Sequence, residues 1–299
     1  MIPSSGRAYR LPLRDDAPLI MGVLNITPDS FSDGGSYPET NDAVTAGLAM
    51  AAQGAEILDI GGESTRPGAN RITAIDQIGR TQVVISGLRQ ALDDAGHESV
   101  HISIDTTLAP VAQAALDAGA GIINDISSGT EDPAMMALAA DRCVPLVLTH
   151  MQGEPGTMQQ DPTYQHVVDD VARYLSERAK AAIDAGVSPA MVVIDPGIGF
   201  GKRLEHNLAL LAALDTFVEM GFPTLLGASR KAFIGHLSFE PAEETAGVGR
   251  TGGTVATTVL GYQQGVRLFR VHDVRANHQA LAVAQAIDAS KLSSPASSS

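Results

Sequence analysis

Residues 19–35 read L-I-M-G-V-L-N-I-T-P-D-S-F-S-D-G-G. Leu19–Ile26 is short, almost wholly apolar and carries β-branched residues, the pattern of a strand buried on both faces. Asn, Thr, Asp, Ser and paired glycines follow at once, so this strand hands polar groups to one end of a core. The same unit recurs down the chain. Further apolar runs fall at Ala55–Gly62, Val100–Thr106, Gly121–Ile126, Val144–His150, Met191–Asp195, Thr224–Ser229 and Val266–Val271. Between them the sequence predicts helices over Asp42–Gln53, Thr73–Ala95, Ala109–Ala118, Pro133–Asp141, Tyr164–Ala185 and Leu204–Met220, with Gly96, Gly119 and Gly221 as stops. Gly247, Gly249, Gly252 and Gly253 weaken a helical segment over 242–264, and a last helix runs from Val274 to Leu292. Alternating βα units, eight of them in about 250 residues, predict an α/β fold, a single-domain TIM (β/α)8 barrel over 19–292. Residues 1–18 are then an N-terminal extension and 293–299, S-S-P-A-S-S-S, a disordered tail. A doubly wound sheet is the rival fold. The short runs, with no linker or composition shift between halves, favour the barrel, whose site forms at the C-terminal ends of its strands.

At 44% hydrophobic and 18% charged residues the chain has an ordinary globular composition. No apolar run reaches the roughly 18 residues of a membrane span. The first residues lack the apolar core of a secretory signal, so the expected compartment is the cytoplasm, without a membrane partner. A net charge of −14 argues against nucleic acid, whose binding needs Lys and Arg against phosphates. Cys143 is the single cysteine, which excludes an internal disulfide. Beside the apolar run Val144–Leu148 it reads as a buried structural thiol.

The strand ends carry Asn25, Asp59, Asp105, Asn124 with Asp125, His150, Asp195, Ser229–Lys231, and Arg270 with His272. One polar strand end is an ordinary turn residue; all of them together, with both signs of charge, point to a ligand rich in hydrogen bonds. Arg270 and His272, two apart on a strand, face the same side. With Lys231 they form a candidate anion site in an acidic protein. The plainer reading pairs Arg270 with a neighbouring carboxylate such as Asp273. Asp195 follows M-V-V-I, where a buried charge needs a donor-rich partner. A heterocycle with several N–H donors and a carbonyl acceptor satisfies Asp105, Asn124 and Asp195 together.

Three motif matches fail on context. Asn25-Ile26-Thr27 fits the glycosylation pattern only by chance at a cytoplasmic strand end. G-I-G-F-G-K, residues 197–202, lacks the first glycine and the closing Ser or Thr of a phosphate loop. H-E-S-V-H, residues 97–101, matches a zinc-protease motif that works only on a helix, where its histidines lie about 6 Å apart along the axis. Here Gly96 ends the helix and His101 begins a strand, giving an extended spacing of about 13 Å.

Taken together, M-G-V-L-N-I-T-P-D-S-F-S-D-G-G (21–35), G-A-E-I-L-D-I-G-G-E-S-T-R-P (54–67), S-I-D-T (103–106), I-I-N-D-I (122–126), H-M-Q-G (150–153), D-P-G-I-G-F-G-K (195–202), S-R-K (229–231) and R-V-H-D (270–273) resemble the dihydropteroate synthases. The resemblance implies a TIM barrel, usually a homodimer, that joins 6-hydroxymethyl-7,8-dihydropterin diphosphate to 4-aminobenzoate with Mg2+ and releases diphosphate. It implies a pterin pocket of Asp105, Asn124, Asp195 and Lys231, and a diphosphate site of Asn25, Thr65, Arg270 and His272, with Asn25 on the metal. Phe31 and Pro67 would wall the aminobenzoate ring, with Asp33, Thr65 and Arg66 nearby and Ser229 opposite; Asp59 and Phe200 would also face substrate. Asp33, Thr65, Arg66, Asp105, Lys231 and Arg270 would carry the catalysis, a substitution of SN1 character under the loops 27–36 and 63–72. Sulfonamides would be expected to bind as aminobenzoate mimics. Leu108 stands where many relatives have Lys or Arg, and Ala232 where some carry a hydroxyl. The rival readings are a corrinoid-type methyltransferase module, which needs no diphosphate site, and a non-enzymatic pterin binder. The intact S-T-R-P and R-V-H favour the synthase.

Overall fold

The computed structural model describes residues 17–26, 37–63, 71–238 and 249–293. The expected N-terminal extension and tail therefore lie outside the described residues except for Ala17, Pro18 and Ser293, as do most of the two loops. Eight parallel strands form the barrel: β1 Leu19–Asn25, β2 Ile57–Gly61, β3 His101–Asp105, β4 Ile122–Asp125, β5 Leu146–Thr149, β6 Val192–Asp195, β7 Leu225–Leu226 and β8 Leu268–Val271. They hydrogen-bond in the order β6-β5-β4-β3-β2-β1-β8-β7. A parallel bridge between Ile194 and Thr224, with Ile194 N–H donating to Pro223 O at 2.9 Å, joins the two ends.

Strand side chains alternate between two environments. Leu19, Met21, Ile57, Ile122, Val147, Val193, Leu225 and Leu268 pack on one another as the barrel's plug. Their neighbours in sequence, such as Ile20, Leu58, Ile102, Ile123 and Phe269, face the helices in a separate and larger cluster. These helices are α1 Tyr37–Ala52, α2 Ala74–Asp94, α3 Ala109–Ala118, α4 Ala134–Arg142, α5 Val167–Asp184, α6 Leu204–Ala212, α7 Leu214–Val218, α8 Ala232–Ser238, α9 Thr251–Gln263 and α10 Val274–Ser293. Local chemistry sets several ends. Thr73 caps α2 by accepting from Asp76 N–H, and Gly119 closes α3 in the left-handed region at φ 117°.

Three features differ from the sequence expectations. The single helix expected over Leu204–Met220 breaks at Ala213, because the Gln264 side chain accepts from Leu214 N–H and donates to Leu211 O, both at 2.9 Å. Cys143 is exposed rather than buried; it holds the left-handed C-cap of α4 at φ 51°. The short helix α8 was not expected. The glycine-weakened segment is helical over Thr251–Gln263, and a Cβ at Gly253 would fall 2.2 Å from Ile234 Cγ2, so its glycine admits close packing of α9 on α8. The H-E-S-V-H segment behaves as expected, since α2 ends at Asp94 and His101 opens β3. No helix among the described residues is long and apolar enough to cross a membrane.

Candidate active site

On most strands the inward position two residues beyond the apolar plug is polar. Ile57 is followed by Asp59, Ile122 by Asn124, Val193 by Asp195 and Leu268 by Arg270. Register fixes their neighbours: Asp105 pairs with Asn124 across β3 and β4, and Thr149 with Asp195 across β5 and β6. The period-two alternation that builds the plug therefore lays a ring of polar groups over it.

Four members of that ring form one network. Arg270 Nε donates to Asp59 Oδ2 at 2.7 Å and its Nη2 to Asp105 Oδ2 at 2.6 Å. Asn124 Nδ2 donates to the same Asp59 Oδ2 at 3.0 Å. Arg270 thus pairs with Asp59 and Asp105, not Asp273, which instead takes a bidentate contact from Arg230 at 3.1 and 2.8 Å. Burial works against the Arg270 charge, but the two carboxylates hold its pKa above the ordinary value. Burial raises the Asp105 carboxyl, a shift that Arg270 opposes.

Lys231 lies across the mouth with its ammonium 3.9 Å from the centre of the Phe200 ring. The ammonium makes no hydrogen bond among the described residues. Burial, with Arg270 nearby, brings it down to about 8. Burial pushes Asp195 up to about 6, although Gly197 N–H donates to its Oδ1 at 2.7 Å. Ser229 and His272 meet through Ser229 Oγ and Nδ1 at 3.0 Å, while His272 N–H donates to the same Oγ. Burial and then Arg270 bring His272 down to about 3, so its imidazole is neutral. If Ser229 donates to Nδ1, the ring proton lies on Nε2 as a donor. Arg230, between Ser229 and Lys231, sits in the left-handed region at φ 58°. Thr254 Oγ1, which accepts from Arg230 N–H, and Asp273 hold it there.

Asn25 ends β1 with Oδ1 3.3 Å from where a Cβ on Gly61 would stand. Its side chain has no hydrogen bond among the described residues. Phe31, Asp33, Thr65, Arg66 and Pro67 lie outside the described residues.

Two polar strand ends support loops rather than ligands. Asp125 accepts from Ser127 N–H, Ser127 Oγ–H and Gly129 N–H. His150 packs edge-on against Tyr174 at 4.9 Å, and burial brings it down to about 3, so its neutral Nδ1 accepts from Lys202 at 2.9 Å. Lys202 is the group that sequence reasoning missed. Wholly inside the protein, its Nζ also donates to the carbonyls of Gly197 and Phe200 at 2.9 Å and of His150 at 3.2 Å. It ties together the loop that carries Phe200. Gly197 and Gly201 make this fold of the loop possible, at φ 71° and 59°, since a Cβ would fall 1.9 Å from His150 O and 2.2 Å from Gln152 O. The signal was present in G-I-G-F-G-K, whose lysine turns back on its own loop.

A family model described as "Pterin binding enzyme" matches residues 21–272. A dihydropteroate synthase of Synechocystis sp. is 42% identical over 268 residues, 90% of this chain and 89% of that protein. The solved structure of Xanthomonas albilineans dihydropteroate synthase with 4-aminobenzoic acid is similar at TM-score 0.83 and 43% identity, covering 92% of this chain and 94% of that one. Yersinia pestis dihydropteroate synthase with a sulfonamide drug complex gives TM-score 0.85 at 37% identity, covering 95% and 99%.

A ligand N–H held by the Asp195 carboxylate and a ligand acceptor held by the Lys231 ammonium would make affinity at this mouth fall as pH drops through about 6 and as it rises through about 8. Calorimetric titration across pH checks both limbs; a flat acid limb would remove Asp195 as the acceptor, and a flat basic limb Lys231 as the donor.

Proposed function

The chain belongs to the dihydropteroate synthase family, pterin-binding transferases of folate synthesis, and we propose how its barrel mouth divides the work. The reaction joins 6-hydroxymethyl-7,8-dihydropterin diphosphate to 4-aminobenzoate, forming 7,8-dihydropteroate and releasing diphosphate. The observation that carries the assignment of roles is the ring of Asp105, Asn124, Asp195 and Lys231 above the apolar plug, with Arg270 beside it. A pterin edge offers N–H donors to the carboxylates and ring acceptors to Lys231. Phe200, already under the Lys231 ammonium, supplies a flat apolar face.

The diphosphate belongs at Arg270 and His272. Arg270 has five N–H groups and spends two on Asp59 and Asp105, so three remain for phosphate oxygens. The Nε2–H of the neutral His272 adds a donor without adding charge. Breaking the carbon–oxygen bond leaves positive charge on the pterin methylene, and Asp105 and Asp195 lie where they stabilise it. Phe31, Asp33, Thr65, Arg66 and Pro67 are assigned to the aminobenzoate pocket by family resemblance, with Ser229 opposite. Sulfonamides would compete there.

The residues at the mouth suit Mg2+. No cluster of three or more His, Cys, Asp or Glu among the described residues is grouped to hold a metal, so such an ion takes most of its ligands from phosphate and water. Mg2+ prefers that arrangement with one or two protein oxygens, and the Asn25 amide oxygen is available. When bound, the ion neutralises charge on the leaving diphosphate.

A homodimer fits the exposed apolar side chains of α9 and α10, Leu260, Val283 and Ile287. Sedimentation velocity is expected to show twice the chain mass; a monomer at micromolar concentration would refute it.

The direct test is a coupled assay with pterin diphosphate, 4-aminobenzoate and Mg2+. Diphosphate and dihydropteroate should appear in equal amounts, and a chelator should stop both. Pterin binding without turnover would return the methyltransferase or scaffold reading. Asp195→Ala should lower pterin affinity about tenfold to a hundredfold, since it leaves buried donors unpaired. Arg270→Ala should weaken the diphosphate form more than the bare pterin. Equal losses for both ligands would refute the anion contact.

A further inference from the structure

Asp59 is wholly inaccessible to solvent. A carboxylate in the barrel interior needs a charged partner, and Arg270 supplies one. That pairing does not account for the second bond, in which Asn124 Nδ2 donates to the same Oδ2 at 3.0 Å. The other oxygen, Oδ1, is buried with no hydrogen-bond partner among the described residues, so both contacts fall on one atom. Ser103, its register partner on β3, likewise has a buried Oγ without one.

An amide has a donating edge and an accepting edge, and which of them faces a ligand depends on what holds the other. Asp59 Oδ2 accepts from both partners. It therefore holds the NH2 edge of Asn124 and leaves the amide oxygen for the pocket. The same atom holds Arg270 by Nε, Nη2 goes to Asp105, and three N–H groups of the guanidinium remain for an anion.

We propose that Asp59 is a positioning residue that tunes both halves of the site through one oxygen, setting Asn124 as an acceptor for a ligand N–H while orienting Arg270 toward an anion. This role deepens the pterin and diphosphate reading above and rests on it. Asp59 itself touches no substrate.

The test is a double-variant cycle read by calorimetry with 6-hydroxymethyl-7,8-dihydropterin and with its diphosphate. Asp59→Ala removes the oxygen that Asn124 and Arg270 share, so affinity for the bare pterin should fall about tenfold to a hundredfold, and that for the diphosphate further. Asn124→Ala lowers affinity for the bare pterin by itself, and adding Asp59→Ala to it should cost little more, because the effect of Asp59 on that ligand runs through Asn124. Asp59→Asn, whose amide oxygen can take the place of Oδ2 and accept from both partners, should keep most of the affinity. Wild-type affinity in Asp59→Ala, or losses that simply add in the double variant, overturns the proposal.

Circular dichroism establishes folding of each variant. Should Asp59→Ala not fold, a crystal structure of the wild-type protein with the pterin decides. A ligand N–H on the Asn124 side chain, with Nδ2 still on Asp59, supports the role; a ligand carbonyl there overturns it. If the wild-type protein binds no pterin at all, the functional reading fails and this role falls with it. Tight wild-type binding with an unaffected Asp59→Ala variant removes only the positioning role.

Discussion

The ion pairs of Arg270 with Asp59 and Asp105 are the constraint on which the rest of the mouth depends. A closed parallel barrel filled from below by apolar side chains gives these charges no route to water on that side. Each alone would carry a desolvation cost of several kcal/mol. Pairing across the barrel, from β8 to β2 and β3, offsets that cost and at the same time sets where Asn124 points. Strands far apart in sequence are thus locked together at the barrel mouth.

Charge at this mouth is local rather than global. The chain carries a net charge of −14, yet Arg270, Lys231 and Arg230 gather around two strand ends. Burial with Arg270 lowers Lys231 and His272, which limits how much positive charge the mouth holds. A neutral His272 and a lysine poised near 8 present directed donors with little long-range field.

Rigidity is supplied from behind. Lys202 spends its ammonium on three carbonyls and His150, none of them substrate groups. Its reward is a fixed β6–α6 loop, with Phe200 held flat under Lys231. Arg230, strained at φ 58° and braced by Asp273 and Thr254, does the same for the β7–α8 turn. Lys202 and Arg230 act here as struts behind Phe200 and Lys231.

The sequence by itself determined the barrel. Eight short apolar runs alternating with helical segments leave few other ways to bury both faces of every strand, and the motif set identified the family. Alternation also determined which strand-end residues face inward, which is why Asp59, Asp105, Asn124, Asp195 and Arg270 were legible as site residues. What pairs with what was not legible, because contacts across a closed barrel join residues as far apart as Asp59 and Arg270. Sequence distance says nothing about which carboxylate an arginine reaches, and the neighbouring one weighed for Arg270, Asp273, belongs to Arg230 instead. Likewise Gln264 breaks a helix fifty residues away at Leu214, Cys143 is exposed by a left-handed cap, and Lys202 and His150 face each other behind the site. Local pattern records which face a side chain takes, whereas only the tertiary structure decides the partner it meets there, since that partner is brought by the closure of the barrel and not by the chain beside it.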